Sequence, residues 1–303
     1  MQPRSKAVLF LVLAAALWST SGVFIKSIHW TPIAIASIRG LLAAVTIALI
    51  LPGGFQIKNL TWAHLLAGSF LAILSTLFVV AMTMAPAANV IVLQYTAPLW
   101  VAVFAPLILR ERTSGRDWFF VGLIFAGIVL FFVDSLSFEG FWGNILATVS
   151  GFFFGIQAIL LRRLSNKSPA QAIILGNFLT FVIGLPFISL PLPPATDLVI
   201  LLLLGVFQMG LSYFFYCMAV PRVSSLELVL IPMLEPIICP IWVFIFLDEI
   251  PGPLALFGAG VVIVSVIIWS LIKIKTAADL VAATKTPDLP ELPDLPDETN
   301  EPS

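Results

Sequence analysis

The chain has 303 residues, 60% of them hydrophobic and 10% charged, with a formal net charge of −1 and a mean hydropathy of +1.09. A soluble domain carries about 25% charged and 45–50% apolar residues, so these figures exclude folding around a single water-facing core and leave the bilayer as solvent. The net charge itself decides little, because seven of the sixteen acids (Asp279, Asp288, Glu291, Asp294, Asp297, Glu298, Glu301) crowd into the last part of the chain.

A membrane-spanning helix needs about 20 mainly apolar residues. The first such segment covers 7–25. Arg4 and Lys6 precede it as in a signal peptide, but its apolar run continues past Ala16 through Trp18 to Ile25, long enough to predict a retained helix. The next four segments are 32–51, 63–84, 88–109 and 118–133. A second set covers 141–161, 170–190, 198–219, 224–247 and 253–274. Short connections with breakers such as Pro52-Gly53-Gly54 and Pro251-Gly252-Pro253 separate several of them. The stretch 277–303, rich in proline and acid, is expected to be a disordered cytoplasmic tail. The expected class is thus an all-α integral membrane protein with ten transmembrane helices.

Lys and Arg set the orientation. With the N-terminus inside, Arg4, Lys6, Lys58, Arg110, Arg112, Arg116, Arg162, Arg163, Lys167, Arg222, Lys273, Lys275 and Lys285 all become cytoplasmic. Only Lys26 falls outside, and Arg39 lies within the membrane. That bias predicts both termini in the cytoplasm of a prokaryotic inner or plasma membrane.

The halves 7–133 and 141–274 repeat. Pro98/Pro236 and Glu111/Glu249 share an offset of 138 residues, kept by Ala81/Ala219, Leu109/Leu247 and Gly122/Gly260. Five helices per half is an odd number, so the two repeats must be inverted relative to the membrane, the architecture of alternating-access transporters. Pro98, Glu111, Gly122 and Gly127 in the first copy, Pro236, Glu249 and Gly260 in the second (with Ser265 at the second glycine position), and Trp18 and Arg39 resemble the EamA family of the drug/metabolite transporter superfamily. The resemblance covers about 7–274. It implies ten helices, inverted repeats, and export or exchange of amino acids, related metabolites or drugs. The first segment lacks the carboxylate by which the four-helix multidrug members couple to protons.

Polar residues inside the apolar segments are the candidate site. A carboxylate at the bilayer centre costs about 2.5–3.5 kcal/mol on insertion scales and needs a partner, a wet cavity or a proton. Glu235 lies among Pro232, Pro236 and Pro240, each of which removes a helical N–H. Glu235 either faces a central cavity, binding an ammonium group or cycling a proton, or fixes helix packing. Arg39 either grips a substrate carboxylate with its fork of donors or pairs with Glu235 or with carbonyls. If both bind, the pair suits a zwitterion such as an amino acid. Glu227, nearer the cytoplasmic end, is expected to reach interfacial water. Gln94 and Tyr95, beside Pro98, are expected to line the cavity; Asn89 and Trp100 divide evenly between cavity and packing. Trp18, Asn177 and Tyr213 are further candidate walls, with Ser19, Thr20, Gln157 and Ser212, although polar glue between helices is the more ordinary role of each. Asn177 stands where the repeat offset places Arg39. Pro98, Pro232, Pro236 and Pro240 are the candidate hinges. Gly151-xxx-Gly155 and Gly258-x-Gly260 permit close helix packing.

No catalytic constellation accompanies these residues: there is no His-Glu-x-x-His motif and no Gly-x-x-x-x-Gly-Lys-Ser/Thr loop, and His29 and His64 stand at segment edges. An intramembrane enzyme is therefore disfavoured, as are a cofactor and a metal. Cys217 and Cys239 fall in apolar segments as small core residues. The expected partners are a small-molecule substrate, with a zwitterion as one candidate, the lipid bilayer and a coupling ion, with the proton a candidate; no nucleic acid is expected. A secondary-active exporter or exchanger is the leading reading. A non-transporting membrane receptor or scaffold is the alternative.

Overall fold

The computed structural model describes residues 3–26, 28–85, 87–133, 140–188, 193–238 and 253–285. Among them there are helices and no strands. In lipid this follows from backbone chemistry, since a helix satisfies its own N–H and C=O groups where no water can. Seven helical stretches are long and apolar enough to cross a membrane: Pro32–Ile50, Trp62–Met82, Asn89–Leu109, Phe141–Arg163, Pro169–Phe187, Ala195–Arg222 and Leu256–Thr276.

The expected first helix is two: α1 (Pro3–Trp18) and α2 (Ser21–Lys26). They part where the Ser19 and Thr20 hydroxyls turn back onto the carbonyls of Ala16 and Leu17, competing with the backbone ladder. Then come α3 (Pro32–Ile50) and α4 (Trp62–Met84). The fourth segment is also divided, into α5 (Ala87–Gln94) and α6 (Ala97–Leu109). Pro98 has no N–H for Gln94, so the ladder stops there and restarts with Pro98 in the first turn of α6. After α7 (Gly115–Phe132) the second half opens at Gly140, whose φ of +74° starts α8 (Phe141–Arg163); a Cβ there would lie 2.5 Å from the Met84 carbonyl.

α9 (Pro169–Gly184) is followed by a continuous span in three parts: α10 (Ala195–Leu203), a π-helical stretch over Leu204–Leu211, and α11 (Ser212–Ala219). The ninth segment begins as α12 (Glu227–Leu230), tightens to a 3₁₀ turn over Ile231–Leu234, and resumes as helix through residue 238. Pro240, Cys239 and Glu249 lie outside the described residues. The last helix, α13 (Pro253–Lys285), corrects the expected tail boundary: it runs past 277 to Lys285, because no proline interrupts the sequence until Pro287.

α4 packs against α8 and α9, α3 against α9 and the π-helical stretch, α1 against α11, α6 against α8, and α7 against α13. Small residues let backbones meet: a Cβ at Gly176 would lie 2.7 Å from the Gly68 carbonyl. Gly151 and Gly155 do the same for α8, resting on the carbonyls of Gln94 and Ala97 at the break between α5 and α6.

Candidate functional site

Each proline inside a span removes one helical N–H, and side chains gather at the carbonyls concerned. Pro106 frees the carbonyl of Ala102, which accepts from Thr113 Oγ1 at 3.2 Å. Pro236 offers no N–H to the carbonyl of Pro232, which takes the Glu235 N–H in the 3₁₀ turn instead. The Tyr95 hydroxyl donates to Glu235 Oε2 at 2.7 Å, with the Pro232 carbonyl a second, longer contact of the same proton at 3.2 Å. Tyr95 stands in the gap between α5 and α6, so the break in one span meets the break in another.

These residues border a narrow, partly open cleft of about 80 Å³, smaller than the roughly 300–1,000 Å³ of a drug-sized ligand site. Its polar wall is Arg39, Gln94, Tyr95, Gln208, Tyr213 and Glu235, with Trp18 and Phe154 among the apolar groups and Ser75 from α4. Six of the seven expected binding residues therefore meet here: Trp18, Arg39, Gln94, Tyr95, Tyr213 and Glu235. The seventh, Asn177, does not. It is buried on α9, and its Nδ2 donates to the Ile173 carbonyl one turn back at 3.0 Å.

Arg39 is only 4% exposed, and its Nε finds no hydrogen-bond acceptor. It faces the cleft with Glu235 but forms no ion pair with it among the described residues, and Glu235 Oε1 has no described partner either. Gln208, in the π-helical stretch, is 4% exposed with Oε1 unpaired. Sequence reasoning missed it: one glutamine in a leucine-rich segment gives no periodic signal. The extra residue per turn of a π-helix changes which side chains face the cleft. Gln94 donates to Ser150 Oγ at 3.3 Å, and Trp18 packs edge-on to Tyr213 with ring centres 5.1 Å apart. Asn89 and Trp100 serve packing, bonding Asn144 and Thr96.

One end of the helices, hereafter the basic end, carries ion pairs. Glu227, expected in interfacial water, is instead fully buried. It takes Arg4 Nη2 at 2.7 Å and, at the other oxygen, the backbone N–H (2.7 Å) and hydroxyl (2.9 Å) of Ser224. Arg4 lies 223 residues away, which hid the pairing from sequence. Glu111 accepts from Arg162 Nε at 3.0 Å and from the backbone N–H and hydroxyl of Ser225, while Arg162 also donates to the carbonyls of Val220 and Pro221. Asp117, just before the apolar run of α7, is held by Ser114, Trp269 and Lys273. Burial pushes its carboxyl up, but those donors outweigh it and hold it below the ordinary carboxylate value. No group of three or more metal-ligating side chains occurs among the described residues.

The model of the EamA-like transporter family matches the chain twice, over residues 5–133 and 141–271. An uncharacterized transporter of Archaeoglobus fulgidus is 26% identical over 287 residues, which cover 86% of this chain and 96% of that protein. A solved crystal structure superposes with a TM-score of 0.77 at 17% identity, covering 89% of this chain and 98% of the other; the likeness is one of fold alone. The double family match, together with the seven apolar spans, makes this a multi-pass protein of the cell membrane and a transporter of the drug/metabolite kind: the chain belongs to the EamA-like transporter family.

Proposed function

We propose that the protein is a secondary-active transporter that exports or exchanges amino acids or related small polar metabolites by alternating access. One observation carries the reading: Arg39 and Glu235, opposite in charge, face one cleft without pairing, each with bonding capacity left. A buried charge without a partner is costly, and a zwitterion answers both, its carboxylate at the Arg39 fork and its ammonium at Glu235 Oε1. Gln208 and Gln94 supply neutral polar contacts, and Trp18 and Tyr213 an aromatic wall. Glu235 is also the group that would take up a proton when the substrate leaves.

The proposed architecture is ten transmembrane helices in two inverted repeats, 7–133 and 141–274, with the basic end and both termini in the cytoplasm. The packing supports it, because contacts between spans occur in pairs that exchange under the repeat. α4 on α8 has its counterpart in α11 on α1, and α4 on α9 in the π-helical stretch on α3. α3 on α9 and α7 on α13 are their own counterparts. The hinges would be Pro98, Pro232, Pro236 and Pro240, where the fourth and ninth segments lack continuous ladders.

The test is uptake by proteoliposomes offered a mixed pool of amino acids, with and without a pH gradient, for wild type and Glu235→Gln. Wild type should accumulate a subset of the pool, and the variant, inserted equally well, should not. A variant that transports like wild type would remove Glu235 from the site. A wild type that moves nothing from the pool would overturn the substrate class.

A further inference from the structure

Between the cleft and the ion pairs of the basic end lie two polar side chains that nothing satisfies. Gln157 on α8 is fully buried, and neither its Oε1 nor its Nε2 has a hydrogen-bond partner. Tyr216 on α11 is also fully buried, its hydroxyl equally without a partner. Buried polar groups are hydrogen-bonded as a rule, and each exception calls for an explanation.

Their positions supply one. Phe154 and Tyr213 line the cleft. Gln157 follows Phe154 by three residues and Tyr216 follows Tyr213 by three, so each lies on nearly the same face, about 4.5 Å further along its helix. Both helices run towards the basic end, α8 ending at Arg163 and α11 leading to Arg222. The other spans are apolar at that level: Ala14 is one turn from Trp18, and Ile231 one turn from Glu235, both fully buried. The cleft thus stops at a closed layer containing two polar heads, and beyond it stand Arg4–Glu227 and Arg162–Glu111.

We infer that Gln157 and Tyr216 line the second half of the translocation path, buried with the basic end latched and wetted when the latches part. Their unmet atoms are tolerated because they are satisfied in the other state, where water and the passing solute reach them. The cost in the closed state narrows the gap between the two states, as alternating access requires. The inference rests on the alternating-access part of the proposed function and not on its substrate class.

Thiol accessibility tests it without a substrate. In a Cys217→Ser, Cys239→Ser background in lipid nanodiscs, Gln157→Cys and Tyr216→Cys are exposed to a membrane-impermeant maleimide. Ile159→Cys, fully buried two residues from Gln157 on a different face of α8, is the control. Both test positions should label faster than the control. Adding Glu227→Gln, or separately Glu111→Gln, removes a charge-assisted contact from the latched state and should accelerate them by about tenfold or more. Labelling no faster than at Ile159 in every background would overturn the inference. A second measurement guards against misfolding of the cysteine variants. Gln157→Leu and Tyr216→Phe delete atoms that have no partner, so the melting midpoint should hold or rise, whereas a marked fall would mean that these groups are structural and the inference wrong. Failure to move any amino acid would leave these readouts intact, so the two readings fail separately.

Discussion

The basic end and the cleft treat charge in opposite ways. At the basic end every carboxylate described is saturated: Glu227 by Arg4 and Ser224, Glu111 by Arg162 and Ser225, Asp117 by Ser114, Trp269 and Lys273. In the cleft, Arg39 Nε and Gln208 Oε1 are buried and unmatched, and Glu235 is held at one oxygen alone. The same residue types thus do two jobs. Where the carboxylates are filled, the charges join loops that lie far apart in sequence, even though Arg4 Nε is itself buried without an acceptor. Where they are not, the protein keeps bonding capacity that folding alone would have used. Sites built for ligands accept such a cost in stability.

The sharpest way to break this contrast is Arg39→Met. If Arg39 is held for a ligand, its removal should lower transport by about a hundredfold, the scale of losing one partner of a buried charge contact. Stability should hold or rise, because a buried guanidinium without an ion-pair partner is replaced by an apolar chain of similar volume. Counterflow in proteoliposomes and thermal melting in detergent measure the two. A melting midpoint several degrees lower would place Arg39 with the structural charges and erase the distinction.

Tyr95→Phe sharpens the contrast at the point where the two roles meet. Its hydroxyl holds Glu235 and lies against the Pro232 carbonyl, to which Pro236 offers no N–H. Removing it should cost about 0.5–1.5 kcal/mol of stability, the net worth of one hydrogen bond, since the Pro232 carbonyl keeps the Glu235 N–H. Transport should fall roughly tenfold, since Glu235 loses the group that fixes its orientation while keeping its charge. Normal transport in a destabilised variant would make Tyr95 a structural cap alone.

The apolar segments, the breaks at Pro98 and Pro236, and most of the cleft were legible in the sequence, because a charge or a proline inside lipid has few reasons to be there. Glu235 and Arg39 announce themselves by cost. Asn177 misled because an amide can spend its donor on its own helix, as it does on Ile173, and sequence does not say which way it turns. Gln208 was invisible for the converse reason: its exposure to the cleft accompanies a π-helical stretch that no residue pattern there marks. Glu227 looked solvated because its cation is at the other end of the chain. Position along one helix can be read from sequence, whereas partners contributed by distant helices depend on packing that the pattern does not encode.

The smallest expected effect lies at Asp117, and it tests the claim that the basic end is saturated. Its carboxyl is held below the ordinary carboxylate value by Lys273, Ser114 and Trp269 against the opposing effect of burial. A depressed folded-state value means that the ionised form stabilises the fold at pH above about 4 and that the contribution is lost as pH falls through the lowered value. Asp117→Asn should therefore cost less than about 1 kcal/mol near neutrality, because Lys273 stays partly in water. The difference from wild type should shrink to nothing as the pH drops well below about 4, where wild type carries a neutral carboxyl at the same place. Melting curves of both proteins from pH 3 to pH 7 measure it. A difference that stays constant across that range would show that the charge of Asp117 contributes nothing and that the loss is one of packing around Trp269.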